Sequence, residues 1–537
     1  MDAEIEPLET TSEMPTTAAP VPPTVADVLR YDSHEQASFH MPGHKQRGGY
    51  HPLAVSILGH AALSNDVSEM GGFDYLHAPE GSISAAQDRS SQIFGASATH
   101  FLVNGSTVGN LAAVLSHAGD NDTVVALRAS HRSVYSAIGL TGSTPHYIPI
   151  DYEPELDGWF VATAPVDVPP NTSVIHITRP NYYGMAVDLS PYRALADSVG
   201  AVLIVDEAHG THFGTDPRLP PSALQLGADI VIQSTHKTLS ALTQASMLHI
   251  GADDKGRVKR HALQQSLSML QSSSPSALLT LSLDLAAHEH ARNDYAASRR
   301  VVDLAVQTRR TMHNRLKVIR LLGSSNAPSS EEVLWDPTKL VLDVHALGIS
   351  GFDARSILRS DFGVGVELAD HRRIVCSLTV GDDDATAGLL IDALAALEKQ
   401  SPSNGARTST PREAAPTQAA APTQVTQAPQ VTQAPQAPQL SHLTPDTTLT
   451  PVTIAAPTIS ITPRAALQHR TEPVALDASV GRVFGEFVIP YPPGIPLAAP
   501  GELVTVDAVQ SIKDFLGAGA RIVGPADPSL ATIAVLR

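Results

Sequence analysis

The sequence predicts an α/β protein built on a mainly parallel sheet with crossover helices, followed by a small C-terminal α+β region. Short apolar runs alternate with helical patterns in mid-chain: a run at 173–177, a helix near 191–199, a run at 201–205, a helix near 222–226 and a run at 229–233. Runs this short and apolar suit strands covered on both faces, the situation of a parallel sheet flanked by helices. The chain has 537 residues, 42% hydrophobic and 17% charged, which is enough for two or three folded units.

Taken in order, residues 1–24 are acidic and rich in Pro and Thr and predict a disordered leader without the positive start and apolar stretch of a signal peptide. Residues 25–399 carry dense apolar periodicity with Gly/Pro punctuation and predict the main folded body. From 400 to 463 Pro, Gln, Ala and Thr dominate, and Val-Thr-Gln-Ala-Pro-Gln occurs twice in tandem at 425–430 and 431–436. Such a composition buries too little apolar surface to offset its ordering entropy and predicts a flexible linker. Residues 464–537, with a strand-like stretch at 482–488 and a helix-like one at 507–516, are few for an independent fold and are expected to pack on the main body.

Bulk properties exclude several functions. Lys plus Arg number 36 against 54 Asp plus Glu, a net charge of −18, which argues against a nucleic-acid partner and is compatible with a cationic substrate. Cys376 is the only cysteine, so an internal disulfide and a Cys-based zinc site are excluded and a reducing cytoplasm is the expected compartment. No apolar run approaches the roughly 20 residues that span a bilayer.

Four segments carry chemistry. Ser234-Thr235-His236-Lys237-Thr238 directly follows an apolar run, and ligands bind at the carboxyl ends of such strands. A lysine there can form a Schiff base with an aldehyde cofactor if its surroundings keep the amine neutral; position alone fits a surface lysine equally well. Asp206-Glu207-Ala208-His209 ends another apolar run, and its first acid can pair with a protonated pyridine nitrogen, as pyridoxal 5′-phosphate (PLP) requires. A nucleotide-driven helicase box reads the same way, but no G-x-x-x-x-G-K-[ST] loop accompanies it. Asn104-Gly105-Ser106-Thr107 opens an apolar-periodic helix whose free amides, beside Ser106 and Thr107, suit a phosphate as well as an ordinary cap. His131, just after the strand-like residues 123–128, offers an imidazole that can stack on a planar ring or serve structure alone. The pairs His209/His212 and His40/His44 have ligand-like spacing without a third ligand, and no metal is assigned.

Phosphate cradle, stacking group, ring-nitrogen acid and Schiff-base lysine occur in the chain order of an aspartate-aminotransferase-like PLP fold, and here the sequence resembles a family. Phe39-His40-Met41-Pro42-Gly43-His44-Lys45, Leu76-His77-Ala78-Pro79-Glu80-Gly81, residues 101–110, Asp206 to His209, Ser234 to Lys237, residues 271–276, residues 336–340, Val366-Glu367-Leu368-Ala369-Asp370 and Pro490-Tyr491-Pro492-Pro493-Gly494-Ile495-Pro496 are similar to segments of the Orn/Lys/Arg decarboxylases, in the short form without an N-terminal receiver-like domain. The match spans residues 38–397 and 464–537.

The resemblance implies PLP as cofactor and decarboxylation of a basic amino acid, arginine before lysine or ornithine, to an amine in polyamine metabolism. It implies that Ser106 and Thr107 bind the phosphate, His131 stacks on the ring, Asp206 holds the pyridinium, and Ser234, His236 and His209 line the cofactor held by Lys237. His236 or Lys237 is expected to return a proton to Cα, and Glu367 to meet the distal cation of the substrate. It also implies a homodimer or higher homo-oligomer in which Ser272–Ser276 reach the neighbouring subunit's cofactor. Two positions depart from the pattern, Asn181 in place of a threonine and Arg132 in place of a lysine. The rival readings are another PLP reaction on this fold, such as an aminotransferase, lyase or aldolase, and a decarboxylase-like regulator without activity.

Overall fold

The computed structural model describes residues 21–30, 39–46, 49–153, 158–161, 168–323, 333–400, 457–491, 494–517 and 519–537. Its centre is a seven-stranded sheet in the order Ala98–Leu102, Ser246–Ile250, Ile230–Gln233, Val202–Asp206, Thr172–Thr178, Thr123–Leu127, Thr144–Ile148. Ser246–Ile250 runs antiparallel to both neighbours, and every other pairing is parallel, so six strands share one direction. The alternation of side chains along each strand splits its apolar residues between two cores. Val124, Ala126, Ile204 and Ile232 face one core, under the helices Gly105–Leu115 and Arg132–Thr141. Val125, Leu127, Leu203, Val205 and Val231 face the other, against the helix Ser190–Val199. This double coverage is why the runs read as apolar without alternation.

The strand and helix expectations agree with the structure to within one or two residues except in two places. Residues 222–226 form a turn, because Gly227 at φ +80° ends the segment after its first turn and sends Ala228 N–H back to the Ala223 carbonyl. Residues 482–488 are not one strand: Val483, Phe484 and Val488 make isolated bridges to three different segments, at Leu503, Val535 and Ala498. Residues 1–20 of the expected leader and 401–456 of the expected linker lie outside the described residues. The described part corrects two boundaries. A helix begins at Pro23, with Thr24 buried and its hydroxyl donating to Asp284 at 2.7 Å. The C-terminal region is already paired at Thr458 and Ile459, with Leu503 and Glu502, ahead of the helix Pro463–Gln468, which Thr462 caps.

A second, antiparallel sheet follows the main one, in the order Arg320–Leu322, Lys339–Asp343, Arg373–Ser377, Leu368–Ala369, with a core shared by the helices Ala296–Arg315, Gly351–Phe362 and Asp384–Gln400. The C-terminal region pairs Thr471–Ala475 with Thr532–Leu536 and packs the helix Val506–Gly517 on its own small core. It docks on the main body as expected. Arg128, at the end of a central strand, gives Nη1 to Glu502 at 2.7 Å and Nη2 to the Leu497 carbonyl at 2.9 Å, and Ala499 joins the main core. Among the described residues no helix is long and apolar enough to cross a membrane.

Candidate active site

Because six strands run the same way, the segments after Leu102, Leu127, Thr178, Asp206 and Gln233 open on one edge of the sheet, and four of them are the sequence motifs. Asp206 is the last residue of its strand and is buried. Asn110, on the helix Gly105–Leu115, donates Nδ2–H to Asp206 Oδ2 at 2.8 Å, and Ala208 N–H donates to Oδ1 at 3.1 Å. Behind Asn110, its Oδ1 faces His176 Nε2 at 3.1 Å. Burial holds the His176 ring at about 4, against the nearby Asp206 charge, so it is neutral at physiological pH and serves as a donor to the amide. The chain His176–Asn110–Asp206 thus fixes the carboxylate while leaving it lone pairs for a ligand. Asn110 lay inside a quoted motif without a role, and His176 gave no signal among apolar neighbours.

The helix Gly105–Leu115 starts at Asn104, whose side chain does not cap it, and Gly105 takes φ +73° to make the turn. Its first-turn amides therefore point to the edge with the positive end of the helix dipole. Ser106 Oγ lies 2.7 Å from Ser234 Oγ, which brings two motifs 128 residues apart to one point, while Thr107 beside them is exposed. Free amides and paired hydroxyls at a helix start suit an anion.

His131 caps the helix Arg132–Thr141: its Nδ1 accepts from Ser133 N–H at 3.3 Å and sits 2.9 Å from Ser133 Oγ, which itself accepts from Asn110. Burial lowers His131 to about 4, giving a neutral ring. The C-terminal region reaches it directly. Arg132 N–H donates to the Gly494 carbonyl at 3.2 Å, and a Cβ on Gly494 would stand 3.4 Å from the His131 ring. Of the two positions that depart from the family pattern, Asn181 has a local role, its Oδ1 accepting from Tyr183 and Met185 N–H to hold a turn, whereas the Arg132 contact to Gly494 uses the backbone and leaves the change from lysine without a structural explanation.

Lys237 sits in the one-turn helix Thr235–Thr238. Its Nζ is 3.1 Å from His209 Nε2. The side chain keeps access to solvent, yet the protein packed around it desolvates the ammonium, and with Lys339 outweighs the pull of Asp206 and Glu367, so the amine lies below the ordinary lysine range. His236 commits Nδ1 to the Ala245 carbonyl at 2.8 Å. On the far side of His209, Nδ1 meets Lys339 Nζ at 3.1 Å, and Lys339 also reaches Glu367 Oε2 at 2.8 Å and Ser377 Oγ at 2.6 Å. Glu367 therefore already has a cationic partner, Lys339, which sequence reasoning passed over. Ser272 and Ser273 are exposed, their carbonyls accepting from His77 and Tyr75.

A depressed lysine amine, a buried oriented carboxylate, a helix start suited to an anion and a neutral imidazole ring at one strand edge are the groups that a phosphorylated pyridine aldehyde needs, and the residues fit PLP. Among the described residues no three His, Cys, Asp or Glu side chains gather to hold a metal; His212 pairs with Asp336 and His44 with Asp66, each at 3.1 Å.

Comparison with known proteins agrees with this geometry. Residues 22–386 match the major domain of the Orn/Lys/Arg decarboxylases, and residues 447–523 match their C-terminal domain. The arginine decarboxylase of Bacillus subtilis is 32% identical over 96% of this chain and 98% of its own length, and that of Halalkalibacterium halodurans is 32% identical over 96% and 97%. The solved Francisella novicida lysine decarboxylase LdcF shares the fold with a TM-score of 0.72 at 18% identity, over 96% of this chain and 81% of that one. With both domain models matched in order and relatives aligned nearly end to end, the chain belongs to the Orn/Lys/Arg decarboxylase family.

Proposed function

We propose that this protein decarboxylates arginine to agmatine and carbon dioxide, using PLP held on Lys237. The observation that carries the reading is the convergence of Lys237, Asp206, His131 and the Ser106/Ser234 pair on one strand edge, in a chain similar over nearly its full length to several arginine decarboxylases. PLP, when bound, supplies an electron sink for the pair left as carbon dioxide departs. Asp206 would hold the ring nitrogen protonated, the helix start with Ser106, Thr107 and Ser234 would bind the phosphate, and His131 and His209 would flank the ring. Lys237 is one candidate to return a proton to Cα. His236, with Nδ1 committed to the Ala245 carbonyl, has Nε2 left for the same task. Glu367, compensated by Lys339, would offer a distal guanidinium hydrogen-bond acceptors more than net charge.

The test is an absorbance spectrum with PLP, wild type beside Lys237→Ala, followed by carbon dioxide release from arginine, lysine and ornithine. The expected result is a Schiff-base band near about 420 nm that Lys237→Ala lacks, with arginine turnover lowered at least about 10³-fold in the variant. A band without carbon dioxide from any of the three would sink the decarboxylase reading in favour of another PLP reaction. Absence of the band would sink the cofactor and leave a regulator.

The same reading includes a cytoplasmic role in polyamine synthesis and a homodimer or higher homo-oligomer. The helix Pro52–Leu58 buries none of its residues and exposes Leu53, Ile57 and Leu58, with Phe39 exposed nearby in the sequence, a surface suited to a second copy. Sedimentation should give twice the chain mass or a higher multiple of it; a monomer at micromolar concentration would refute it.

A further inference from the structure

Lys339 is almost completely buried at the start of its strand, outside the segments to which PLP chemistry was assigned. Its three partner groups are the Glu367 carboxylate, Ser377 Oγ and His209 Nδ1, at 2.8, 2.6 and 3.1 Å. An ammonium has no lone pair, so whatever it touches must accept: Glu367 offers both oxygens, Oε1 at 3.0 Å as well as Oε2, and a proton on His209 Nδ1 would be aimed at a cation 3.1 Å away. The contact with Lys339 is a hydrogen bond only if His209 Nδ1 is the unprotonated nitrogen. A neutral imidazole with a bare Nδ1 carries its proton on Nε2, and Nε2 is the atom 3.1 Å from Lys237 Nζ. An N–H pointed at that nitrogen requires a lone pair there, which lysine has only when uncharged.

We propose that Lys339 is a positioning residue: by donating to His209 Nδ1 it fixes the Nε2–H tautomer, which makes Lys237 Nζ the acceptor and keeps it a neutral nucleophile. The inference rests on the reading of Lys237 as the Schiff-base lysine and adds what prepares it. A doubly protonated His209 would aim Nδ1–H at the Lys339 ammonium 3.1 Å away, with Glu367 Oε1 farther off at 3.5 Å to receive it, so the geometry favours the bare Nδ1. Burial and the two lysines also hold His209 far below its ordinary value, in keeping with a neutral ring. The charged and titratable groups facing Lys237 are Asp206, Glu367 and Lys339, with His131, His209 and His236 around them.

The test titrates the Lys237 amine itself in the full-length protein stripped of PLP, by the pH dependence of reductive methylation at Lys237 read by mass spectrometry. Wild type should titrate below an ordinary lysine. Lys339→Met removes a repelling cation and frees the tautomer, and should cut the neutral amine at pH 7 by about tenfold or more. The double variant Lys339→Met/Glu367→Gln removes one charge of each sign, leaves no orphan carboxylate to unfold the protein, and isolates the tautomer: a several-fold loss of neutral amine supports the proposal. A double variant with the wild-type profile overturns it even if the single variant shifts, because charge alone then accounts for the effect. A wild-type Lys237 that titrates as an ordinary lysine overturns it as well. Adding PLP to wild type separates the two readings, since a Schiff-base band alongside either overturning profile leaves the cofactor assignment standing.

Discussion

Two cations at the carboxyl edge of the same sheet, Arg128 and Lys237, meet burial with opposite results. Burial disfavours the charge on both. At Arg128 it is outweighed by Glu502, which takes both Nη groups, with Tyr135 and the Leu497 carbonyl as further acceptors, and the guanidinium is held above its ordinary value. At Lys237 the nearest partner is an imidazole, a second lysine stands behind it, and the two carboxylates nearby do not restore what burial removes. A buried cation with a bidentate anion is a structural clamp, and a cation desolvated by its surroundings without such a partner becomes a base. The neighbours, more than depth, decide which.

The largest effect should come from breaking the clamp. Arg128→Met leaves Glu502 buried and unpaired at the junction with the C-terminal region, and removing one partner of such a pair costs about 3–5 kcal/mol. Urea unfolding should show this loss, and Arg128→Met/Glu502→Leu should recover most of it. Because Gly494 and Leu497 belong to the same docked segment, the single variant should also weaken PLP retention by loosening the wall beside His131. An Arg128→Met protein as stable as wild type would mean that the ion pair does not hold the junction.

The reactive half of this comparison was legible in the sequence and the clamping half was not. Asp206 and Lys237 each follow a short apolar run, and the rule that ligands gather at strand ends makes such positions visible without a structure. Strand limits were legible for the same reason, since double coverage leaves the runs mostly apolar, His176 being the buried exception in its run. Lys339 was hidden because a lysine opening an apolar strand has the pattern of a solvated strand end, and only the second sheet's approach to His209 buries it. The partners Arg128 and Glu502 stand 374 residues apart, across a Pro/Gln-rich stretch, and no local period connects them. The failed helix at 222–226 was a local miss: apolar spacing was right for a turn of helix, and Gly227 set its length.

A third kind of buried base sharpens the comparison with the smallest expected effect. His249, in the antiparallel strand of the main sheet, sits between Thr99 Oγ1 at 2.9 Å and Gln233 Oε1 at 3.1 Å, with no carboxylate in contact, and burial lowers it to about 3. Its neutral form is the folded form. The unfolded chain takes up the proton near its ordinary value of 6.5, so between that pH and about 3 the unfolded state binds more protons and stability falls as the pH falls. His249→Gln keeps one acceptor and one donor without a titrating nitrogen. It should match wild type near pH 8 and be less sensitive to acid, retaining on the order of 1–3 kcal/mol more of its stability at pH 4. Denaturant midpoints at the two pH values measure this. Equal acid sensitivity in the two proteins would place the acid transition at other groups, and would mean that His249 accepts a proton within the folded state.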